Sequence, residues 1–168
     1  MGSMVMEIIQ ATSRKDLDEV RRLFREYETH LNVDLCFQQF ESELATLPGK
    51  YAPPSGMLLL ATDGQMAVGC GALRKIESLG NRTCEMKRVY VCPEARGQGV
   101  GKRIAIRLIQ EAVGLGYATM VLDTLDRLKA AINLYQSLGF VSTKPYYDNP
   151  LAGVVYMTLD LRGHRPDN

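Results

Sequence analysis

Residues 96–101, Arg-Gly-Gln-Gly-Val-Gly, are of the types that bind an anion, because three alternating glycines follow an arginine. They come after the apolar run Val89-Tyr90-Val91 and before a helix-like run from Lys102. Glycines let the main chain approach a ligand without interference from Cβ, and the first turn of a helix leaves N–H groups unpaired. A phosphate or pyrophosphate is the ligand that this arrangement favours. A glycine-rich surface turn without a ligand is the alternative interpretation.

Two common phosphate loops do not fit this stretch. A Walker A loop would need glycine in place of Arg96 and serine or threonine in place of Arg103. A dinucleotide-binding loop would need its third glycine at Lys102 or Ile104. The remaining pattern, Arg-x-x-Gly-x-Gly over 96–101, resembles the loop that binds the coenzyme A pyrophosphate in the GNAT superfamily of N-acetyltransferases.

A second stretch, residues 129–140, strengthens the resemblance. It ends in Tyr-Gln-Ser-Leu-Gly-Phe, which is similar to the Tyr-x-x-Leu-Gly-Phe pattern of a short helix that flanks the cofactor in the superfamily. The resemblance covers residues 58–161 and includes the strand predicted over 84–91. Two motifs in the expected order make the chain similar to acetyl-CoA-dependent N-acetyltransferases.

The resemblance implies that acetyl-CoA is the cosubstrate and that no metal is required. The pantetheine arm would bond to the main chain of Val89 and Val91, and the pyrophosphate would lie at 98–102. Asn133 would hydrogen-bond the cofactor, although an exposed helix amide is the alternative for this residue. The implied cofactor-binding residues are Val89, Tyr90, Val91, Arg96, Gly97, Gln98, Gly99, Val100, Gly101, Lys102, Asn133 and Tyr135.

Tyr135 is the residue to which the resemblance assigns the role of catalytic acid. It would lie near the coenzyme sulfur and protonate the departing thiolate, a role that suits a phenol with a pKa of about 10. Its spacing with Ala131, Leu134 and Leu138 is also that of an ordinary core aromatic residue.

Charged residues interrupt the strand predicted over 82–91 at Glu85, Lys87 and Arg88. Because burial of an unpaired carboxylate is costly, Glu85 must pair with a cation or face a cleft. Strand alternation places Arg88 on the opposite face from Glu85 and Lys87, unless a bulge intervenes. The resemblance implies that Glu85 is a general base, often through water, and a plain ion pair is the alternative.

The implied reaction is a direct attack of an acceptor amine on the thioester, with the Val89 N–H stabilising the oxyanion. The motifs do not indicate whether the amine belongs to a small molecule or a peptide. Two segments, 30–37 and 145–150, are expected to shape the acceptor side of the cleft. Tyrosines beside an aspartate could hold a cationic amine there, and a structural turn is the alternative. The predicted acceptor-binding residues are Tyr146, Tyr147 and Asp148.

Two other classes of protein remain open. The chain could be a coenzyme A-binding or regulatory module without catalysis, which would bind acetyl-CoA but release no thiol. It could also be a nucleotide-binding domain, in which Asp123 at the end of a strand contacts a ribose. Such a domain would prefer NAD or ATP.

Composition limits the partners of the protein. A net charge of +1 over 168 residues predicts no nucleic-acid or membrane partner. The cysteines lack paired or zinc-type spacing, which predicts reduced thiols and no metal site. With no signal peptide or membrane-spanning run, we expect a cytoplasmic location. Basic residues near the glycine loop are expected to cluster around it; they are Lys87, Arg88, Arg96, Lys102 and Arg103. For Lys102 and Arg103 taken singly, a solvated side chain on an exposed face is the favoured interpretation.

Periodicity and the resemblance together predict an α/β fold in a single domain over 4–161. A mixed, mostly antiparallel sheet of about seven strands would carry helices on both faces, and the cofactor cleft would open between splayed central strands. Residues 1–3 look like the remnant of an expression tag, and 162–168 like a disordered tail. An apolar edge strand near the C-terminus leaves a homodimer open. The predicted strands are 5–11, 57–61, 66–73, 82–91, 117–122, 140–143 and 154–161.

Overall fold

A seven-stranded mixed sheet forms the centre of the computed structural model, which describes residues 5–80 and 82–164. Its strands are β1 (Glu7–Gln10), β2 (Met57–Thr62), β3 (Ala67–Lys75), β4 (Thr83–Val91), β5 (Thr119–Leu125), β6 (Val141–Ser142) and β7 (Val154–Asp160). They lie in the order β1-β2-β3-β4-β5-β7-β6, with β4 and β5 parallel and the other neighbours antiparallel. The helices are α1 (Arg14–Leu31), α2 (Phe40–Ala45), α3 (Val100–Gly114) and α4 (Lys129–Ser137). The predicted fold class is confirmed.

Each face of the sheet carries two helices and its own apolar core. α1 begins at a capping box formed by Ser13 and Asp16 and covers one face together with α2. α3 and α4 cover the other face. There the backbone of β3 approaches α3 closely, since a Cβ at Gly71 would lie 2.6 Å from Ile104 Cγ2. Glycine at position 71 therefore allows the close spacing between the sheet and α3.

β4 and β5 are paired at one end and separate at the other. Their register runs from the pair Thr83 and Thr119 to the pair Glu85 and Val121, and it ends there. Beyond this point β4 continues to residue 91 and β5 to residue 125. A V-shaped opening therefore lies between the C-terminal halves of the two central strands, as the resemblance implies.

A β-bulge bends β4 at the start of this opening. Gly71 of β3 lies opposite both Arg88 and Val89, and Arg88 adopts a φ of 59°. The bulge turns the Arg88 side chain toward α1 and α2, on the face that Lys87 also occupies. The predicted alternation, with Arg88 on the opposite face from Lys87, ends at Lys87 because a bulge, the exception that the prediction allowed, adds a residue to the strand.

Two differences from the predicted strands concern the site and the edge of the sheet. β5 continues to Leu125, three residues beyond the predicted end at 122, so Asp123 lies inside the strand. The sheet edge near the C-terminus is the two-residue β6, because β7 pairs with both β5 and β6. Such a short edge offers few backbone groups for pairing between subunits, and the homodimer stays a prediction.

Residues 162–164 form a turn after β7, in which the Asp160 carboxylate accepts hydrogen bonds from Arg162. The predicted tag remnant and the last four residues of the predicted tail lie outside the described residues. No helix in the part of the chain that the structure describes is both long and apolar enough to cross a membrane.

Candidate active site

The glycine loop passes directly into the N-terminus of α3. Gly97 and Gly99 adopt φ values of 79° and 75°, which favour glycine. Gly99 is the N-cap residue, and the Arg103 N–H donates to the Gly99 carbonyl at 3.0 Å. The N–H groups of residues 100–102 lie before this first hydrogen bond of the helix and have no partner within the helix. This helix end is therefore suited to an anion.

A cleft of about 640 Å³, called the cofactor cleft below, lies between the glycine loop, β4 and α4. It is lined by every predicted cofactor-binding residue except Gln98 and Asn133, whose contacts stay predictions. Asn133 is exposed on α4. The predicted residues that line the cleft are Val89, Tyr90, Val91, Arg96, Gly97, Gly99, Val100, Gly101, Lys102 and Tyr135.

Four basic side chains line the cofactor cleft. Arg96 and Lys102 come from the glycine loop and α3. Arg127 lies just before α4, and Lys129 is the first residue of α4. Sequence reasoning missed the second pair, because two basic residues around the start of a helix are usual on any exposed surface. Their positions suit the binding of a ligand with several phosphates.

Three members of the predicted basic cluster lie elsewhere. Arg88 points to the face of the sheet that α1 and α2 cover and pairs with Glu43, with 3.0 Å between Nε and Oε2. Lys87 also contacts residues on that face. The Arg103 guanidinium donates to the Met6 carbonyl at 2.9 Å. The predicted cluster is wrong for Lys87, which strand alternation places on the face of α1 and α2, and for Arg88, which the bulge turns to that face. Arg103 is an exposed side chain, as its alternative interpretation predicted.

The free edge of β4 presents backbone groups to the cofactor cleft. Cys92 donates its N–H to the Val68 carbonyl next to β3 at 2.8 Å. Because successive N–H groups of a strand point to opposite edges, those of Val91 and Val89 point away from β3, toward the opening. On the same edge, the Val91 carbonyl accepts a hydrogen bond from Arg96 Nε at 2.9 Å. A peptide-like arm in the cleft could therefore bond to this edge as an added strand.

Tyr135 lies at the inner end of the cofactor cleft. It is buried against Phe140, with 5.8 Å between ring centroids. Burial raises the pKa of Tyr135, and Tyr27 and Asp123 add to the rise, so the phenol keeps its proton at neutral pH. None of the described residues hydrogen-bonds its hydroxyl. Among them only Arg22 Nε is an enclosed, unpaired side-chain atom, so the Tyr135 hydroxyl opens to the cavity space.

An inner cavity of about 80 Å³ adjoins the cofactor cleft where β4 and β5 separate. The two spaces share Val89 and Tyr135 in their linings. Polar side chains of the inner cavity include Lys87, Asp123 and Asn149. The opening between the central strands therefore connects the glycine-loop side of the sheet with its other face.

Glu85 is fully buried and has three partners. Oε1 accepts a hydrogen bond from Arg74 Nε at 2.8 Å and lies 3.7 Å from Lys87 Nζ, while Oε2 accepts one from the Tyr146 hydroxyl. Burial raises the pKa of Glu85, but the charges of Lys87 and Arg74 and the hydrogen bonds of Tyr146 and Arg74 outweigh it. The pKa therefore lies below its ordinary value. This geometry favours the ion-pair interpretation of Glu85.

Asp123 is a second carboxylate at the opening, and it lines the inner cavity. Its Oδ2 accepts hydrogen bonds from the Tyr147 hydroxyl and from Asn149 Nδ2, the latter at 3.0 Å. No donor among the described residues reaches Oδ1. Asp123 does not line the cofactor cleft, so a ribose contact beside the glycine loop is not supported. Because the predicted strand ended at 122, the sequence analysis did not show that Asp123 lies inside β5.

The two predicted acceptor segments reach the inner cavity in part. In segment 145–150, two tyrosines donate hydrogen bonds to Glu85 and Asp123. Asp148 is exposed and lines neither the cofactor cleft nor the inner cavity. The residues of segment 30–37 that line the inner cavity are Leu31 and Leu35.

Replacement of Glu85 by glutamine is expected to lower the free energy of unfolding by about 3 kcal/mol at pH 7, because Arg74 and Lys87 would lose their buried counter-charge. This value is at the lower end of the usual range for the loss of one partner of a buried ion pair, because the Arg74 side chain is 26% exposed. Urea unfolding followed by circular dichroism measures the change. Glu77→Gln is the matched control, because Glu77 pairs with Lys75 on the surface and its loss costs less than about 1 kcal/mol.

The same pair of proteins gives a pH signature. Because the folded-state pKa of Glu85 lies below its ordinary value of 4.5, its stabilising effect is present above that value and is lost as the pH falls through the folded pKa. The stability gap between the parent protein and Glu85→Gln is therefore expected to narrow below about pH 4.5. An equal gap at pH 7 and pH 3, or none at pH 7, contradicts the buried ion pair.

Comparison with known proteins identifies the family to which this chain belongs. Residues 17–140 match the model of the acetyltransferase (GNAT) family. The chain is 46% identical over 148 residues to an uncharacterized N-acetyltransferase of Schizosaccharomyces pombe, with 88% of this chain and 90% of that protein covered.

Solved structures share the fold. A Klebsiella pneumoniae protein assigned as an acyl-CoA N-acyltransferase superposes with a TM-score of 0.72 at 26% identity, covering 94% of this chain and 99% of that one. A Salmonella typhimurium protein assigned as an acetyltransferase, solved with its cofactor acetyl-CoA, gives a TM-score of 0.72 at 22% identity, with 96% of each chain covered. Since the family match spans most of the sequence, from α1 to the end of the Tyr-x-x-Leu-Gly-Phe motif, this chain belongs to the GNAT family and is an N-acetyltransferase.

Proposed function

We propose that the protein transfers the acetyl group of acetyl-CoA directly to an amine acceptor while both are bound. The observation that carries this proposal is the junction of the cofactor cleft with the inner cavity at Val89 and Tyr135. A thioester that enters from the glycine-loop side would reach this junction, and an amine could reach it from the other face. Donor and acceptor would thus meet without an acetylated enzyme.

The donor side has partners for the pyrophosphate and for the pantetheine arm of coenzyme A. In the proposal, the N–H groups of residues 100–102 and the charges of Arg96 and Lys102 hold the pyrophosphate. The Val91 and Val89 N–H groups bond to the pantetheine arm, and the Val89 N–H also stabilises the oxyanion. Contacts from Gln98 and Asn133 to the cofactor belong to the proposal as well.

The proposed chemistry balances within the site. The neutral amine attacks the thioester carbonyl carbon, a C–N bond forms, and the C–S bond breaks with the electron pair on sulfur. Tyr135 gives its proton to the thiolate, and the resulting phenolate takes the second proton of the nitrogen through water. The bound ammonium gives its first proton, before the attack, to a carboxylate of the inner cavity. With an ordinary amine pKa of about 10.4, presenting the neutral amine at pH 7 costs about 4–5 kcal/mol. Metal chemistry is not part of these steps.

Asp123 is the better placed of the two carboxylates to receive that proton. Glu85 has no solvent exposure and both of its oxygens are bonded, whereas Asp123 lines the inner cavity with Oδ1 free of hydrogen bonds from the described residues. We therefore place Asp123 as the proton acceptor, directly or through a water. Glu85 then holds Lys87 and Tyr146 in position.

Calorimetry with acetyl-CoA, NAD and ATP, followed by a thiol-release assay over diverse amines, tests the proposal. We expect binding of acetyl-CoA and amine-dependent release of free coenzyme A. Binding without release for any amine indicates a coenzyme A-binding module, and preference for NAD or ATP contradicts the donor site. We place the enzyme in the cytoplasm, a location that suits its free cysteines.

Replacement of Gly99 by valine is expected to raise the Kd of acetyl-CoA about tenfold or more. Valine is strained at a φ of 75°, by about 1–2 kcal/mol, and relief of that strain would rotate the amides that face the pyrophosphate. Titration calorimetry measures the Kd.

Gly114→Ala is the matched control for this variant. Gly114 ends α3 without a positive φ, and a Cβ there meets no atom within 4 Å. The control is expected to bind acetyl-CoA as the parent does. Equal affinities of Gly99→Val and Gly114→Ala would contradict a pyrophosphate at this helix end.

A further inference from the structure

A third space continues the path away from the cofactor. This outer cavity, of about 280 Å³, lies between α2, the turn over 46–51, Arg74 of β3 and Lys87 of β4. It shares Gln38 and Lys87 with the inner cavity. Cofactor cleft, inner cavity and outer cavity thus follow one another across the sheet, and an acceptor that enters opposite to coenzyme A would lie in the last two.

The outer cavity is lined by three cations, Lys50, Arg74 and Lys87. The carboxylate in its lining, Glu43, is neutralised by Arg88, which bonds to both of its oxygens at 3.0 and 3.3 Å. This pair therefore contributes no net charge to the cavity.

The remaining cations have one carboxylate to share. Glu85 Oε1 lies 2.8 Å from Arg74 Nε and 3.7 Å from Lys87 Nζ. Lys87 is about nine-tenths buried, and its Nζ otherwise contacts the neutral Gln38 amide at 3.3 Å. Lys50 is exposed and forms no ion pair within the described residues. Three positive charges against one negative charge leave the outer cavity positive.

The inner end of the path carries a carboxylate, and Lys87 lies where the inner and outer cavities meet. Asp123 lines the inner cavity, and its Oδ1 accepts no hydrogen bond from the described residues. The route therefore runs from an anion near the acetyl group to cations farther out. A molecule with an ammonium group at one end and an anionic group at the other matches this order of charges.

We propose that the acceptor is a small amino carboxylate, whose amine lies beside Asp123 and whose carboxylate is held by Lys87 and Lys50. This proposal rests on the proposed function, because it names the acceptor of that reaction. A diamine or a basic peptide would instead bring a second positive charge next to three cations, which opposes its binding.

Matched acceptor pairs test the proposal. Glycine, β-alanine, 4-aminobutyrate and 6-aminohexanoate are each compared with their primary carboxamides, and putrescine serves as the diamine. We expect kcat/KM of at least one acid to exceed that of its amide about tenfold, the effect of one hydrogen bond to a charged group. Putrescine is expected to be a poor acceptor.

Variants of the outer cavity locate the effect. Lys87→Met is expected to lower the ratio of kcat/KM for the acid to kcat/KM for its amide about tenfold. Lys50→Glu is expected to lower this ratio severalfold, and because Lys50 is exposed, its replacement does not disturb folding. Lys15→Ala, on the exposed first turn of α1, is the control and keeps the parent ratio. The Kd of acetyl-CoA is expected to stay the same in all three variants.

The outcomes separate the two proposals. Thiol release with amides or putrescine at rates equal to or above those of the acids overturns the amino carboxylate and leaves acetyl transfer intact. A ratio that Lys50→Glu and Lys87→Met both leave unchanged also overturns it. No binding of acetyl-CoA, or no thiol release with any acceptor, overturns the proposed function and this inference with it.

Discussion

Tyr135→Phe is expected to lower kcat by about 10²- to 10³-fold and to leave the Kd of acetyl-CoA within about twofold of the parent value. The ring would keep its place against Phe140, because the substitution removes the hydroxyl alone. That hydroxyl has no hydrogen-bond partner among the described residues, so its loss breaks no described contact. Steady-state kinetics and calorimetry measure the two effects separately.

Tyr117→Phe is the matched control for the acid. Its hydroxyl donates to the Ser55 carbonyl at 2.5 Å, away from the three cavities, so the variant is expected to keep the parent kcat. If Tyr135→Phe turns over as fast as Tyr117→Phe, Tyr135 is not the acid. A loss of acetyl-CoA affinity equal to the loss of kcat would assign Tyr135 to binding.

Asp123→Asn is expected to lower kcat/KM about 10²-fold at pH 7. The amide cannot accept the ammonium proton, although it can keep a hydrogen bond to Tyr147. The deficit is expected to shrink as the pH rises toward the amine pKa of about 10.4, because the free neutral amine then needs no proton acceptor. A pH–rate profile with a saturating donor measures this rescue.

Two comparisons make the Asp123 result specific. Asp126→Asn, just beyond the end of β5, is expected to behave as the parent protein. Glu85→Gln is expected to lose stability, with an activity loss that alkaline pH does not repair. Alkaline rescue of Glu85→Gln instead of Asp123→Asn would return the base role to Glu85.

Local patterns explain why most of the fold was predictable. The capping box at Ser13, the glycine loop before α3 and the Tyr-x-x-Leu-Gly-Phe stretch each depend on residues a few positions apart. The cofactor side of the site shares this property, since residues 89–102 form one continuous strand, loop and helix start. Such short-range features can be read along the chain.

The acceptor side depends on contacts between distant residues. Glu85 meets Tyr146, 61 positions later, and Gln38 meets Tyr147 across 109 positions. Arg88 faces Glu43 because of a bulge opposite Gly71, which strict alternation cannot reveal. These pairings follow from strand register and loop packing, so the residue types alone did not predict them.

Direct transfer at the junction of the cofactor cleft with the inner cavity is tested most directly by a single turnover with acetyl-labelled acetyl-CoA in slight deficit over enzyme. Free thiol and label are followed with and without an amino carboxylate. The account predicts thiol release only when the amine is present, with the label on the amine nitrogen and none on the protein. Labelled protein formed before the amine is added, or thiol release at the same rate without it, would contradict direct transfer.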